Sequence, residues 1–273
     1  MPSVTRAGNV AVVRRAPAAV SDPPARRAGE PLGSGEQVRL RLLGRWQLTR
    51  AGGRVIVPRN EQRLVAFLAL SGACDRDLVA GTLWPESPEK RAHANLRTAL
   101  WRLRQAGADV IDATHSEVAL RGTSVDADDL RACANRLLGS PRAPVQPEAL
   151  SLLGGPALLP GWYDDWVQDE RDRLDDLRAR ALDESSARLL SAGLVTPAVE
   201  AARAAVRLNA FQENARYRLI RALLADADVI GAVREYVRFR DLLARELDVA
   251  PSVRVSVLLD PYLRAAGPPV PVR

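Results

Sequence analysis

The chain is poor in the residues that build covalent or metal chemistry. Its 273 residues include two cysteines, Cys74 and Cys133, which form no CxxC pair. A disulfide framework and a cysteine-built metal site are thereby excluded. The two histidines, His93 and His115, lie too far apart for a metal-ligand spacing and have no cysteine cluster beside them. No apolar run approaches the roughly 18–20 residues a membrane span needs. Residues 1–36 hold Arg and Pro but no continuous apolar segment, so they do not read as a signal peptide. A cytoplasmic location follows as an expectation. The phosphate-binding, dinucleotide-binding, serine-hydrolase and zinc-protease motifs are missing too, so no enzyme, cofactor or metal is expected.

Apolar residues make up 47% of the chain, enough for a substantial core. The charge is distributed unevenly. Residues 1–36 hold five Arg against three acids. Residues 37–125 hold fourteen Lys or Arg against eight acids. Residues 126–273 hold twenty against twenty-two. The positive charge is therefore concentrated in one stretch of domain size. A polyanion suits that stretch, because neutralising phosphates releases their counterions.

Residues 1–36, rich in Ala, Arg, Pro and Gly without periodicity, read as a disordered leader, and 265–273 as a flexible tail. Val38, Leu40 and Leu42 alternate with Arg39 and Arg41, the period-two pattern of a half-buried strand that continues through Leu48. Ala51-Gly52-Gly53 reads as a turn and Val55-Ile56-Val57 as the return strand. Asn60 is expected to cap a helix that Gly72 ends. Asp75 or Asp77 opens a second helix with Leu78, Val79, Leu83 and Trp84 inward. Ser87 caps a third, with Pro88 in its first position, that runs to about Gln105. A hairpin follows over Val110–Leu120. Hairpin, three helices, hairpin is the layout of a winged helix-turn-helix over 37–125.

From 126 to 264 the pattern is helical: about Ala127–Leu138, a Pro-rich link, Glu148–Leu153, a long helix from about Asp164 to Ala192, and two further pairs after Gly193. Leu189, Leu190, Val195, Ala198 and Val199 recur as Leu223, Leu224, Val229, Ala232 and Val233, each 34 residues on. That is the period of the tetratricopeptide repeat, a helix-turn-helix that stacks on its neighbour. The acids Asp164-Asp165, Asp169-Glu170 and Asp175-Asp176 read as an exposed face of the long helix. The fold class is thus mainly α, an N-terminal winged helix-turn-helix (α+β) followed by an all-α tetratricopeptide-like helical-repeat domain.

The third helix carries the candidate site. Ala92, Leu96, Leu100 and Leu103 form one apolar stripe. The opposite arc carries Lys90, Arg91, Arg97, Thr98, Trp101, Arg102 and Gln105, with Asn95 at its edge. Arg suits guanine or phosphate, Asn and Gln suit adenine, and Thr can meet a thymine methyl. Arg91, Arg97, Arg102 and Arg104 are read as phosphate contacts with some base readout. Trp101 either packs under the hairpin or touches a DNA sugar. His93 reads as packed or surface. His115, at the hairpin tip, and Arg121, just after it, are candidate phosphate contacts. Arg178, in the second domain, is expected to be dispensable for DNA binding.

These residues also carry a family resemblance. VPRNEQRLVAFLAL, AGTLWPESPEKRAHANLRTALWRLRQ, SVDADDL, ALLPGWYDDWVQDERDRLDDLRARAL and RELDVAPS occur in an order that resembles the Streptomyces antibiotic regulatory protein family. The resemblance implies an OmpR-type winged helix joined to a bacterial transcriptional activation domain. It implies an activator of a secondary-metabolite gene cluster that binds double-stranded DNA at direct repeats near promoters and contacts RNA polymerase. It places the DNA-reading helix on Ala94–Arg104 and the wing on Val110–Leu120. A homodimer is possible under it. Neither an ATPase module nor a receiver domain is read in the sequence. The competing expectation is a protein-interaction adaptor, with helical repeats that bind a partner and a winged helix that docks or dimerises.

Overall fold

A computed structural model describes residues 37–265. The expected leader and all but the first residue of the expected tail lie outside the described residues. The first sheet is built on β1 (Val38–Arg41), β2 (Gln47–Arg50) and β3 (Gly53–Val55), an antiparallel meander in which Leu40 faces Leu48 and Leu48 faces Val55. Ala51 and Gly52 both take positive φ in the β2–β3 turn, as a tight hairpin between right-twisted strands requires. The return strand stops at Val55, one residue into the predicted segment, because Ile56 is 86% exposed and no strand pairs beyond it.

Three helices follow: α1 (Arg59–Ser71), α2 (Arg76–Leu83) and α3 (Glu89–Gln105). A two-residue strand, β4 (Cys74–Asp75), precedes α2 and pairs with the later hairpin β5 (Ile111–Ala113) and β6 (Glu117–Leu120) in a sheet of order β4-β6-β5. Then β7 (Thr123–Val125) adds to β1 in parallel and closes a sheet of order β3-β2-β1-β7. Neither β4 nor β7 was read from sequence, since both are too short to show a period. The caps also differ by a position or two. Pro58 and Pro88 hold the N-cap positions of α1 and α3 without a side-chain bond, so neither Asn60 nor Ser87 acts as a cap. Leu78 points outward at 56% exposure, whereas Val79 and Leu83 are buried as expected.

The helical half comprises α4 (Asp126–Gly139), α5 (Pro147–Leu153), α6 (Asp165–Ser191), α7 (Val195–Leu208), α8 (Glu213–Ala225), α9 (Val229–Leu247) and the short α10 (Val253–Ser256) and α11 (Asp260–Ala265). The 34-residue recurrence is structural. Val195 opens α7 and Val229 opens α9. Gly193 and Ala227 hold the same repeat position, both with positive φ. The amides of Gly193 and Leu194 donate to Leu190 O and Leu189 O, and those of Ala227 and Asp228 to Leu224 O and Leu223 O. That is one Schellman cap used twice. Ala198 and Ala232 are fully buried, so each helix pair can approach closely.

A continuous core joins the two halves. The Asp126 carboxylate accepts from the amides of Leu42 and Leu43 at 2.8 and 3.0 Å. Burial pushes its carboxyl above the ordinary value, while those amides pull the other way. The strand past β1 bridges to 157–159 through Leu43 and Leu158. Phe67 meets Trp166 edge to face at 5.3 Å, Arg59 lies 3.6 Å above the Trp162 ring, and Arg63 donates to Asp164 at 2.5 and 2.8 Å. The helix beneath α3 is therefore clamped to the start of the repeat domain.

Only half of the six acids at the start of α6 form the exposed face predicted for them. Asp164 holds Arg63, Glu170 holds Arg131, and Asp175 holds Arg178, leaving Asp165, Asp169 and Asp176 outward. Arg178 is 1% exposed and donates to Leu153 O at 2.7 Å and also to Gly155 O. It ties down the turn after α5. Its removal would orphan those carbonyls, so its role in the structure is to hold the fold.

Candidate nucleic-acid interface

α3 has to bury one stripe to fold and leaves the other to solvent. Ala92, Leu96, Ala99, Leu100 and Leu103 are buried against α1 and α2, with Leu96 fully so. Ala99 completes a stripe that the sequence outlined with four residues. At the C-terminus, Gly107 takes positive φ and its amide donates to Arg104 O, while Ala108 donates to Leu103 O. This Schellman cap ends α3 and turns the chain directly into the β5–β6 wing.

On the outer arc, Lys90, Arg91, Arg97, Thr98, Trp101, Arg102, Arg104 and Gln105 are exposed, and Asn95 is half-buried at the edge. Lys90, Arg91, Arg97 and Arg104 have no carboxylate or carbonyl partner among the described residues. Thr98 donates its hydroxyl proton to Ala94 O at 2.9 Å, leaving its oxygen free to accept. Trp101 is 61% exposed beside the wing rather than packed beneath it. It lines a hollow of about 260 Å³ together with Arg76, Arg97, Leu100, Arg104 and Ala113. Three guanidinium groups thus surround one indole between the first residue of α2, the middle of α3 and the end of β5. Such a hollow concentrates positive potential and offers bidentate donors of the kind that suits phosphate oxygens.

Arg76 was missed by sequence reasoning. It sits outside the α3 pattern, and only the pairing of β4 with β6 carries it here. Its amide donates to Ser116 O, and its Nη1 donates to Thr114 O at 2.9 Å. The helix start and the wing tip are thereby held together. His115 is exposed at that tip, between these two anchors.

Two predicted residues carry internal obligations. Arg102 reaches Glu61 at 3.4 Å, and Glu61 is 1% exposed with its second carboxylate oxygen unpartnered. Arg102 therefore neutralises a buried charge on α1, as well as standing 53% exposed on the arc. Arg121 donates to Asp109 at 2.8 Å across the base of the wing. His93, read as packed or surface, is half-buried and 3.4 Å from Asp77. Among the described residues, no group of His, Cys, Asp and Glu is placed to hold a metal ion.

Known proteins resemble this chain in both halves. Residues 139–259 match the family model of the bacterial transcriptional activator domain. The chain is 29% identical over 264 residues to Regulatory protein AfsR of Streptomyces coelicolor, covering 89% of this chain and 26% of that protein. It is also 29% identical over 227 residues to Regulatory protein AfsR of Streptomyces griseus, covering 76% of this chain and 22% of that protein. The chain thus spans about a quarter of the length of the curated relatives it matches. Among solved structures, Mycobacterium tuberculosis EmbR in complex with a low affinity phosphopeptide superposes with a TM-score of 0.69 at 20% identity, covering 87% of this chain and 67% of that one. At that identity the likeness is one of fold.

Proposed function

From a chain that carries a bacterial transcriptional activator domain behind a winged helix and is homologous to AfsR, we propose a sequence-specific, double-stranded DNA-binding transcriptional regulator. Its role is to activate a secondary-metabolite gene cluster from direct-repeat promoter sites. The observation that carries this reading is the outer arc of α3. Lys90, Arg91, Arg97 and Arg104 stand there without carboxylate partners, on a helix locked to the core by its other side. Four like charges on one exposed arc build a local positive potential that attracts an anionic partner.

The proposed division of labour follows from the geometry of the arc. Arg76, Arg97 and Arg104 neutralise phosphates around the hollow beside the wing, and Lys90 and Arg91 do so at the start of α3. Asn95, Thr98 and Gln105 read base edges, and Trp101 packs on a sugar. His115 and Arg121 meet the backbone at the two ends of the wing. Arg102 contributes to the same surface while holding Glu61. Residues 37–125 are taken as the DNA-binding domain and 126–264 as the activation domain. The helical domain contacts RNA polymerase and sets the spacing of a homodimer on repeated sites. A cytoplasmic location accompanies this role. Among the described residues no helix is long and apolar enough to cross a membrane.

The test is a mobility-shift titration on the DNA upstream of the chain's own coding sequence. Binding should be specific at moderate salt, and log affinity should fall with log salt by about 0.9 per phosphate neutralised. No binding at low salt would leave the adaptor reading in its place.

A further inference from the structure

We propose that the groove between α5, α6 and α7 is a binding site for a small amphipathic anion, an apolar chain ending in a carboxylate. The groove encloses about 630 Å³, within the roughly 300–1,000 Å³ range of small-molecule sites. Its floor and walls are apolar: Leu150 from α5, Leu182 and Leu189 from α6, Leu194 from the turn, and Pro197 and Ala204 from α7. Leu182 is fully buried and Leu189 is 5% exposed, whereas Leu194 at the rim is 53% exposed.

The groove follows from a choice of small residues. α7 turns Ala201 and Ala204 toward α5, and α5 ends in Gly154. A Cβ on Gly154 would sit 3.6 Å from the Ala204 methyl and 3.1 Å from Leu150 O. The backbones can therefore approach at that end, and no long side chain fills the space alongside. An apolar trough that the protein leaves unfilled favours an apolar guest.

The charge at the mouth selects the head group. Arg203 and Arg207 line the groove one turn apart on α7, both exposed. Neither has a carboxylate or carbonyl partner among the described residues, and Glu200, the one acid in the lining, lies within ion-pair distance of neither. Other guanidinium groups of the same domain are engaged: Arg171 on carbonyls, Arg188 on Glu184 and Leu137 O, Arg216 on Glu235. Two unengaged, adjacent guanidinium groups above an apolar trough suit a single carboxylate on an apolar chain, since guanidinium accepts carboxylate bidentately. The trough runs alongside the start of the repeat stack, remote in sequence from the α3 arc, so its occupancy and DNA binding can be measured separately.

Decanoate and decanol, titrated into the full chain by displacement of 1-anilinonaphthalene-8-sulfonate, separate the apolar and ionic contributions. Decanoate should bind saturably at one site and about tenfold more tightly than decanol. Arg203→Ala combined with Arg207→Ala should erase that preference while decanol still binds. These are surface changes, so the pair is expected to fold and carries the test. Ala204→Phe should exclude both ligands, with folding checked by circular dichroism. Equal affinity for the two ligands, non-saturating uptake, or an unchanged preference in the double-arginine variant would overturn the proposal. So would light scattering that showed a dimer dissociated by Ala204→Phe, which would give the groove to a second copy.

Discussion

α3 and α6 are both arginine-rich helices, yet they use the residue in opposite ways. On α3, Arg91, Arg97 and Arg104 face solvent with no internal partner among the described residues. On α6, Arg171 caps the carbonyls of Leu158, Leu159 and Trp162, Arg178 holds the α5 turn, and Arg188 holds the last carbonyls of α4. Arg173 is exposed with only an i,i+3 ion pair to Glu170, and Arg180 is exposed with no partner among the described residues. Composition cannot distinguish the two helices. Pairing can, because a guanidinium buried against carbonyls is withheld from an outside ligand.

The comparison is sharpened most by Arg178→Ala. It removes the guanidinium that holds the Gly155 and Leu153 carbonyls and should destabilise the chain by about 3 kcal/mol, with the DNA affinity of the folded fraction unchanged. Denaturant unfolding and mobility shifts on the same preparations separate the two effects. A loss of DNA affinity without a loss of stability would break the contrast between the helices.

The converse is expected of Arg97→Ala with Arg104→Ala. Operator affinity should fall about 10- to 100-fold and the salt slope should drop by up to about 1.8. Unfolding free energy should move by less than about 0.5 kcal/mol, as for other exposed sites.

Arg102→Ala lies between these cases and should lower both properties. Stability should fall by about 1–2 kcal/mol, because Glu61 keeps its burial and loses its cation. Adding Glu61→Gln should return part of the stability and none of the DNA affinity. Rescue of both would mean that Arg102 acts through the fold alone. The smallest effect belongs to Arg180→Ala: within about 0.5 kcal/mol in stability and no change in binding.

The long-period features were legible in the sequence. The 34-residue recurrence places Val195 and Val229 at the starts of α7 and α9, and the Ala92–Leu103 stripe is the buried side of α3. The order hairpin, three helices, hairpin is observed with one correction: the single strand read from Val38 through Leu48 is two antiparallel strands, β1 and β2, so the first unit is a three-stranded meander. Features that depend on contact at a distance were not legible. β4 and β7 are strands only because β6 and β1 lie beside them. Arg76 enters the candidate interface through that same pairing. The caps at Pro58 and Pro88 were misplaced because the expectation favoured side-chain acceptors, and here the prolines supply the N-cap backbone instead. The acids at the start of α6 read as a solvated face, since Arg63 and Arg131, the partners of Asp164 and Glu170, come from α1 and α4, while the Asp175–Arg178 pair lies within α6. The bacterial transcriptional activator domain matches 139–259, inside the expected 126–264, and the domain boundaries themselves remain part of the proposal.

Lys90 permits the most direct test of the central claim, that the outer arc of α3 enters a DNA groove. It is the only lysine in the 273 residues and opens the first turn of α3, fully outward. Acetylation of its ε-amine, followed by mass spectrometry, therefore reports on this arc without interference from other lysines. In the complex with its operator, the acetylation rate should fall at least about tenfold below that of the free chain and recover at high salt. An unchanged rate in a complex that demonstrably binds the operator would contradict the account.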